Sequence, residues 1–307
     1  NAPPLKYGEY VDVIPWQFFY TAVWQQAIHG QCAGEYWTYW ENGKGYNLNE
    51  RAKSMDAISQ AVRDLKRYAD YVTAIANKRP KVAILLSSAA LAWSPKEHVN
   101  AETQIYKALN MSGINAGFML EEMLNDNALN RYKVLIIPQA VHISQEMNNA
   151  INKFIAEGNI VLVIGDTPKA DEYNNPIAFS RKAVIWSELK PVASESANFD
   201  AAHPGALSPE DSNVKKIQQK IYDFLLMKNL APEVQIKVDG KLPFGIEWRS
   251  AVVNGKYMIN LCNYTNKAMI VRISLSGQQY RCANLLDGRK INGSVKLKPM
   301  EVMLLVK

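Results

Sequence analysis

Between residues 80 and 233 the sequence repeats one pattern: a short, almost wholly apolar run, then an amphipathic stretch. The runs fall at 81–87, 114–120, 132–138 and 159–164. A strand that is apolar throughout, without alternation, is covered on both faces. Such strands belong to parallel sheets flanked by helices. Helices are expected at 101–111, closed by Gly113, and after Ser144, with Met147, Ile151, Phe154 and Ile155 turned inward and Gly158 at the end. Residues 167–212 lack a pattern apart from a candidate strand at 183–186, and a helix is expected at 211–229. This reads as an α/β fold, a flavodoxin-like doubly wound domain.

The flanks differ. In residues 1–79, Trp16, Phe19, Tyr20, Val23, Trp24, Ala27 and Ile28 recur at helical spacing before Gly30. A dense aromatic stretch with strand preference follows, Glu35-Tyr36-Trp37-Thr38-Tyr39-Trp40. Met55, Ile58, Val62, Leu65, Ala69, Val72 and Ala76 then predict one long helix, with Asn47 as its cap, Glu50 as the capping-box partner and Pro80 beyond its end. A lone strand cannot bury both of its faces, so helix, strand, helix is expected to be the end of something larger, such as a β/α barrel. Residues 234–307 alternate strands with turns, and Asn254-Gly255 marks a hairpin. An antiparallel β-sandwich is expected there. The chain thus divides into 1–79, 80–233 and 234–307.

Composition narrows the function classes. The net charge is +6, but Lys and Arg are dispersed, which argues against a nucleic-acid partner. No run approaches the ~18 apolar residues of a membrane span. Cys32, Cys262 and Cys282 are too few and too scattered for a zinc site or a disulfide framework, and buried free thiols are the expectation for Cys262 and Cys282. The histidines form no metal-ligand spacing, and no phosphate-binding glycine loop is present, so neither metal nor cofactor is expected. The chain opens Asn1-Ala2-Pro3-Pro4 without a methionine, so the natural start is expected upstream.

The aromatic stretch carries the chemistry. Along a strand, Glu35, Trp37, Tyr39 and Glu41 share one face, and Tyr36, Thr38 and Trp40 the other. Sugar rings present apolar C–H faces to which flat aromatic side chains fit. Trp37, Trp40 and Glu41 are therefore the candidate substrate-binding residues, with core packing as the competing role for each ring. Glu35 and Glu41 cannot be a glycosidase pair along one straight strand: six residues span about 20 Å, against the roughly 5–9.5 Å such carboxylates need. Glu9 precedes nothing that reads as a buried strand. No catalytic residue is assigned. The amidotransferase alternative needs a nucleophilic cysteine, and residues 80–233 contain none. Gly245-Ile246-Glu247-Trp248-Arg249 reads as an edge strand with a packed Trp, or as a small sugar patch.

Ala22-Val23-Trp24-Gln25-Gln26-Ala27-Ile28-His29-Gly30, the aromatic stretch after it, and the ending from Asn284-Leu285-Leu286-Asp287-Gly288 to Val302 together resemble the C-terminal half of family 42 glycoside hydrolases, the β-galactosidase type. The resemblance implies a helix ending in His-Gly before the last barrel strand, a middle domain without the amidotransferase nucleophile that makes trimer contacts, and a closing β-domain. It implies a carbohydrate substrate, retaining hydrolysis of β-galactosides, a homo-oligomer and export to the periplasm or beyond. It also implies that both catalytic glutamates precede this helix, where no residue matches either motif. On this reading the chain alone is inactive. A non-catalytic carbohydrate-binding or oligomerisation module is the alternative.

Overall fold

The computed structural model describes residues 16–34, 52–190 and 212–307. The described residues form two compact units. One gathers 16–34, 52–78 and 233–307; the other holds 79–190 and 212–232. The fold is mixed α/β, with a five-stranded parallel sheet in one unit and antiparallel sheets in the other.

The parallel sheet consists of β1 (Val82–Leu86), β2 (Ala116–Leu120), β3 (Val134–Pro138), β4 (Ile160–Ile164) and β5 (Val184–Trp186). Their order is β2-β1-β3-β4-β5, and every neighbouring pair is parallel. Both faces are covered, as the unbroken apolar runs predict. On one face Ala83, Leu85, Met119, Leu135, Ile137, Val161 and Val163 pack with Met147, Ile151 and Phe154 of α6 (Gln145–Ala156). The other face takes α5 (Pro95–Asn110), beside which lies α7 (Ser212–Met227). The Ser144 hydroxyl caps α6 by accepting from Met147 N, and Gly158 ends it at φ +86, where a side chain would strain the backbone.

Sequence periodicity missed α4 (Ser88–Trp93), six residues too short and too alanine-rich to show a stripe. Its signal is local instead: Ser87 Oγ accepts from Ala90 N as a cap, and Pro95 at the start of α5 forces the break after it.

In the other unit, α1 spans Trp16–Ile28. The long helix expected up to Ala76 is two helices, α2 (Ala52–Arg67) and α3 (Ala69–Ala76), broken at Tyr68 (φ −113, ψ 26). Tyr68 stacks on Tyr71 and donates its hydroxyl to Leu285 O at 2.6 Å. That tertiary bond overrides a helical pattern that runs straight through in sequence.

The C-terminal strands form two antiparallel sheets. One contains β6 (Val234–Lys237), β9 (Met269–Leu275), β10 (Gln278–Gln279) and β13 (Ser294–Leu297), with β9 at its centre. The other runs β12-β11-β14-β8-β7, where β7 is Ile246–Val253, β8 Lys256–Asn263, β11 Arg281–Asn284, β12 Lys290–Asn292 and β14 Val302–Val306. The β7–β8 hairpin turns at Asn254-Gly255, with both residues at positive φ, as that dipeptide requires.

The second sheet is buried on both sides. Ile246, Trp248, Ile259, Leu261, Met303 and Leu305 point into the core shared with the first sheet. Ala251, Met258, Cys262, Val302 and Leu304 point the other way, into a core with Val23, Trp24 and Ile28 of α1, Ala61 of α2, and Val72 and Ile75 of α3. The period of two along each strand sorts the residues between these cores. The sequence separates 1–79 from 234–307, yet the apolar stripes of α1–α3 are covered by the C-terminal sheet itself. The strand expected at 35–41 lies outside the described residues. Among the described residues no helix is long and apolar enough to cross a membrane, and no cluster of His, Cys, Asp and Glu could hold a metal.

Candidate functional site

Alternation along β7 turns Glu247 and Arg249 toward the helices, while Trp248 points into the sheet–sheet core. Trp248 is buried there and donates its indole N–H to Val234 O at 2.9 Å, so it is a packing residue and offers no sugar patch. Glu247 is 1% exposed and Arg249 7%. A buried carboxylate costs several kcal/mol unless every lone pair is met. Here every donor comes from a side chain of the same unit.

His29 follows the last residue of α1 and brings its Nε2 to 2.6 Å from Glu247 Oε1. Arg249 Nε stands 3.2 Å from the same oxygen. Tyr264 donates its hydroxyl to Oε2 at 2.8 Å, and Gln25 Nε2 reaches Oε2 at 3.4 Å. Arg249 Nη2 lies 3.1 Å from His29 Nδ1. A guanidinium only donates, so Nδ1 accepts, and the imidazole proton is on Nε2, given to Glu247. His29 thus serves as a relay between cation and carboxylate rather than as the simple helix-end charge that its place before Gly30 suggests.

Burial alone would push the Glu247 carboxyl upward. The hydrogen bond from His29, the Arg249 charge and the Tyr264 hydroxyl outweigh that and hold it at about 2. Glu247 pairs across the ladder with Cys262, whose Sγ donates to Asn260 Oδ1 at 3.4 Å. Burial, and next the Glu247 charge, push this thiol far upward, so it is inert as a nucleophile. Cys32, Cys262 and Cys282 are all free.

A carboxylate that is ionised, enclosed and occupied on both oxygens has neither a proton to give nor a lone pair aimed at a substrate. Glu247 is an anchor. It fixes the C-terminal end of α1 at the point from which the chain runs through Gln31–Gly34 toward the aromatic stretch. Trp37, Trp40 and Glu41, the predicted sugar-binding residues, lie outside the described residues, as do Glu9 and Glu35. Sequence reading noticed Glu247 only as part of an edge strand. Its signal was the pair of charges, Glu247 and Arg249, at alternate positions of a mostly apolar strand.

The parallel-sheet unit has a polar cluster of its own at the C-terminal strand ends, where folds of this kind bind ligands. Glu121 accepts from Ser87 Oγ (3.1 Å), Ser88 N (3.1 Å), Ser144 N (2.8 Å) and Ala89 N (3.4 Å). The protein's own carboxylate therefore takes up the N-terminal donors of α4. His98 is fully buried. It is bound through Nδ1 to Pro138 O (2.8 Å) and through Nε2 to Ser87 N (3.1 Å), and burial holds it below the usual histidine range. At the end of β3 the turn residue with positive φ is Gln139, an amide where an elbow nucleophile would need a thiol or hydroxyl. Its Nε2 donates to Asp166 Oδ2 at 2.8 Å, and Lys190 completes the group by pairing with Asp166.

No protein-family model matches the sequence, and no curated protein does. Solved structures do. An exo-carrageenase of glycoside hydrolase family 42 from Bacteroides ovatus is similar with TM-score 0.72 and 22% identity, over 96% of this chain and 39% of its own. A family 42 β-galactosidase from G. stearothermophilus gives 0.68 and 14%, over 96% and 51%. A cold-adapted β-galactosidase from Rahnella sp. R3 gives 0.65 and 13%, over 95% and 51%. The chain spans between two fifths and about half of the length of these proteins. The resemblance to family 42 glycoside hydrolases that rests on residues 22–40 and the C-terminal strands therefore holds as a likeness of fold across nearly the whole chain.

Proposed function

We propose that this chain is part of a glycoside hydrolase that acts on β-linked galactosides with retention of configuration. The observation that carries the proposal is the fold likeness, which extends over both units at once rather than over one common domain. On this reading the parallel-sheet unit is the flavodoxin-like, amidotransferase-like domain without its nucleophile; the strand order and the absence of cysteine from residues 80–233 support that description. The C-terminal strands are the closing β-sandwich, and residues 1–79 the end of a β/α barrel.

The catalytic pair of glutamates belongs to chain preceding Asn1. Two facts favour this. The similar enzymes are about two to two and a half times as long, and Glu247, the one fully buried glutamate among the described residues, is saturated by its neighbours. Trp37 and Trp40 offer flat rings to the sugar and Glu41 a hydroxyl partner, in a segment whose entry the Glu247–His29 pair fixes. A homo-oligomer, a trimer in the family's manner, and export to the periplasm or beyond complete the proposal.

Hydrolysis of an aryl β-galactoside tests it. The natural gene product is expected to release the aryl group, and the 307-residue chain alone to release none. Turnover by the chain alone that is lost on Glu35→Gln or Glu41→Gln contradicts the proposal. Glycan binding with no hydrolysis by either protein favours a non-catalytic binding module instead.

A further inference from the structure

An exposed aromatic pair stands in the parallel-sheet unit, unconnected with Glu247 and with residues 35–41. Trp93, the last residue of α4, lies flat on the His142 imidazole, with ring centroids 4.8 Å apart and planes 12° from parallel. One face of the indole is thereby covered, and the side chain still keeps 49% of its surface open. Its N–H is committed to Glu172 O at 3.1 Å, which fixes the ring's rotation. Tyr173, next in the chain, is 78% exposed.

The loop that carries Tyr173 is tied down by hydrogen bonds. Asp171 accepts from Tyr173 N (2.9 Å), Asn175 N (2.7 Å) and Asn175 Nδ2 (3.0 Å). Asn174, at φ +66, accepts from the His142 ring at 3.0 Å, and Ala170 bridges to both His142 and Pro176. The Trp93 ring and the backbone that carries Tyr173 are therefore held by a preorganised frame, which lowers the entropy cost of binding. Planar polar side chains, Glu172, Asn174 and Asn175, stand in the same loop. Two rings cannot make the roughly 800 Å² per partner that a stable protein interface needs. A flat ring with one open face, beside a loop of amide and carboxylate side chains, matches the C–H face and hydroxyls of a pyranose.

We propose that Trp93 and Tyr173 form a second carbohydrate-binding platform, separate from the proposed active site, that holds a neutral β-linked galactan chain. The choice of galactan rests on the proposed function; the platform itself does not. Neutral chains are favoured over sulfated ones because the residues around Tyr173, from Ala170 to Asn175, include Asp171 and Glu172 and no cation.

The test follows the Trp93 indole N–H resonance of the full chain, assigned by its loss in Trp93→Phe, during titration with a neutral β-galactan oligosaccharide. The expected result is a saturable shift, with a Kd that rises about three-fold in Tyr173→Ala. Tyr173→Ala removes a side chain that is almost entirely in solvent, so its fold is retained, and an unchanged thermal midpoint checks this. The reading needs no turnover, so it stands or falls independently of hydrolysis. A static Trp93 resonance, or an unchanged Kd in Tyr173→Ala, overturns the proposal. So does tighter binding of a carrageenan oligosaccharide, which would mean that the site prefers sulfated chains. A shift driven by protein concentration alone also overturns it and marks the patch as a contact between copies.

Discussion

Glu247 concentrates most of the residue-scale physics of this chain. Its carboxyl, ordinarily near 4.5, is held at about 2 in the fold. A depressed folded value means stability that is complete above the unfolded pKa and lost as pH falls through the folded one. The contribution is therefore expected to be full above pH 4.5 and to drain away toward pH 2, by about 3 kcal/mol in all. Urea unfolding measured across that range checks it, and Glu247→Gln should abolish most of this pH dependence. At neutral pH the same substitution leaves Arg249 buried beside a neutral amide, and a loss of about 3–5 kcal/mol is expected. Gly165 offers a second test. It sits at φ +96, and a Cβ there would collide with the Gln139 carboxamide that holds Asp166. Gly165→Ala is expected to cost about 1–3 kcal/mol by thermal or chemical unfolding. Neither role is legible in sequence. Glu247 and Arg249 show as two charges in one strand, but the four donors to Glu247 come from three separated segments.

At the scale of elements, legibility followed locality. The strands around Ile84, Ile136 and Leu162 were readable because burial on both faces leaves unbroken apolar runs. The helix after Ser144 was readable because cap, stripe and Gly158 all lie within one short segment. The break at Tyr68 was not, since Met55 to Ala76 keeps its helical period through it and the cause is Leu285, 217 positions away. Tyr68→Phe removes that hydroxyl bond and leaves the ring stack with Tyr71. A loss of about 1 kcal/mol is expected in equilibrium unfolding, with helical circular dichroism unchanged or slightly raised as α2 and α3 are freed to join. Trp248 shows the converse limit. Its exposure could not be read from spacing alone, because both faces of its sheet are covered.

For the whole molecule, what sequence could not convey was which surface each apolar stripe meets. The stripes of α1 to α3 ask for a partner, and the C-terminal sheet supplies one through Met258, Cys262 and Leu304. That packing joins residues 16–34 and 52–78 to 233–307 in one unit and places the end of α1 against β7. The proposed division of labour follows: the anchored helix end sets the entry to the aromatic stretch, the rings of Trp37 and Trp40 hold sugar, and bond cleavage falls to carboxylates elsewhere in the protein. A retaining hydrolase passes through a glycosyl ester on one of its glutamates, so the nucleophile can be trapped. The most direct measurement is peptide mapping of the natural gene product after inactivation with an activated 2-deoxy-2-fluoro-galactoside. The label is predicted on a glutamate that precedes Asn1; a label on Glu9, Glu35, Glu41 or Glu247 would contradict the account.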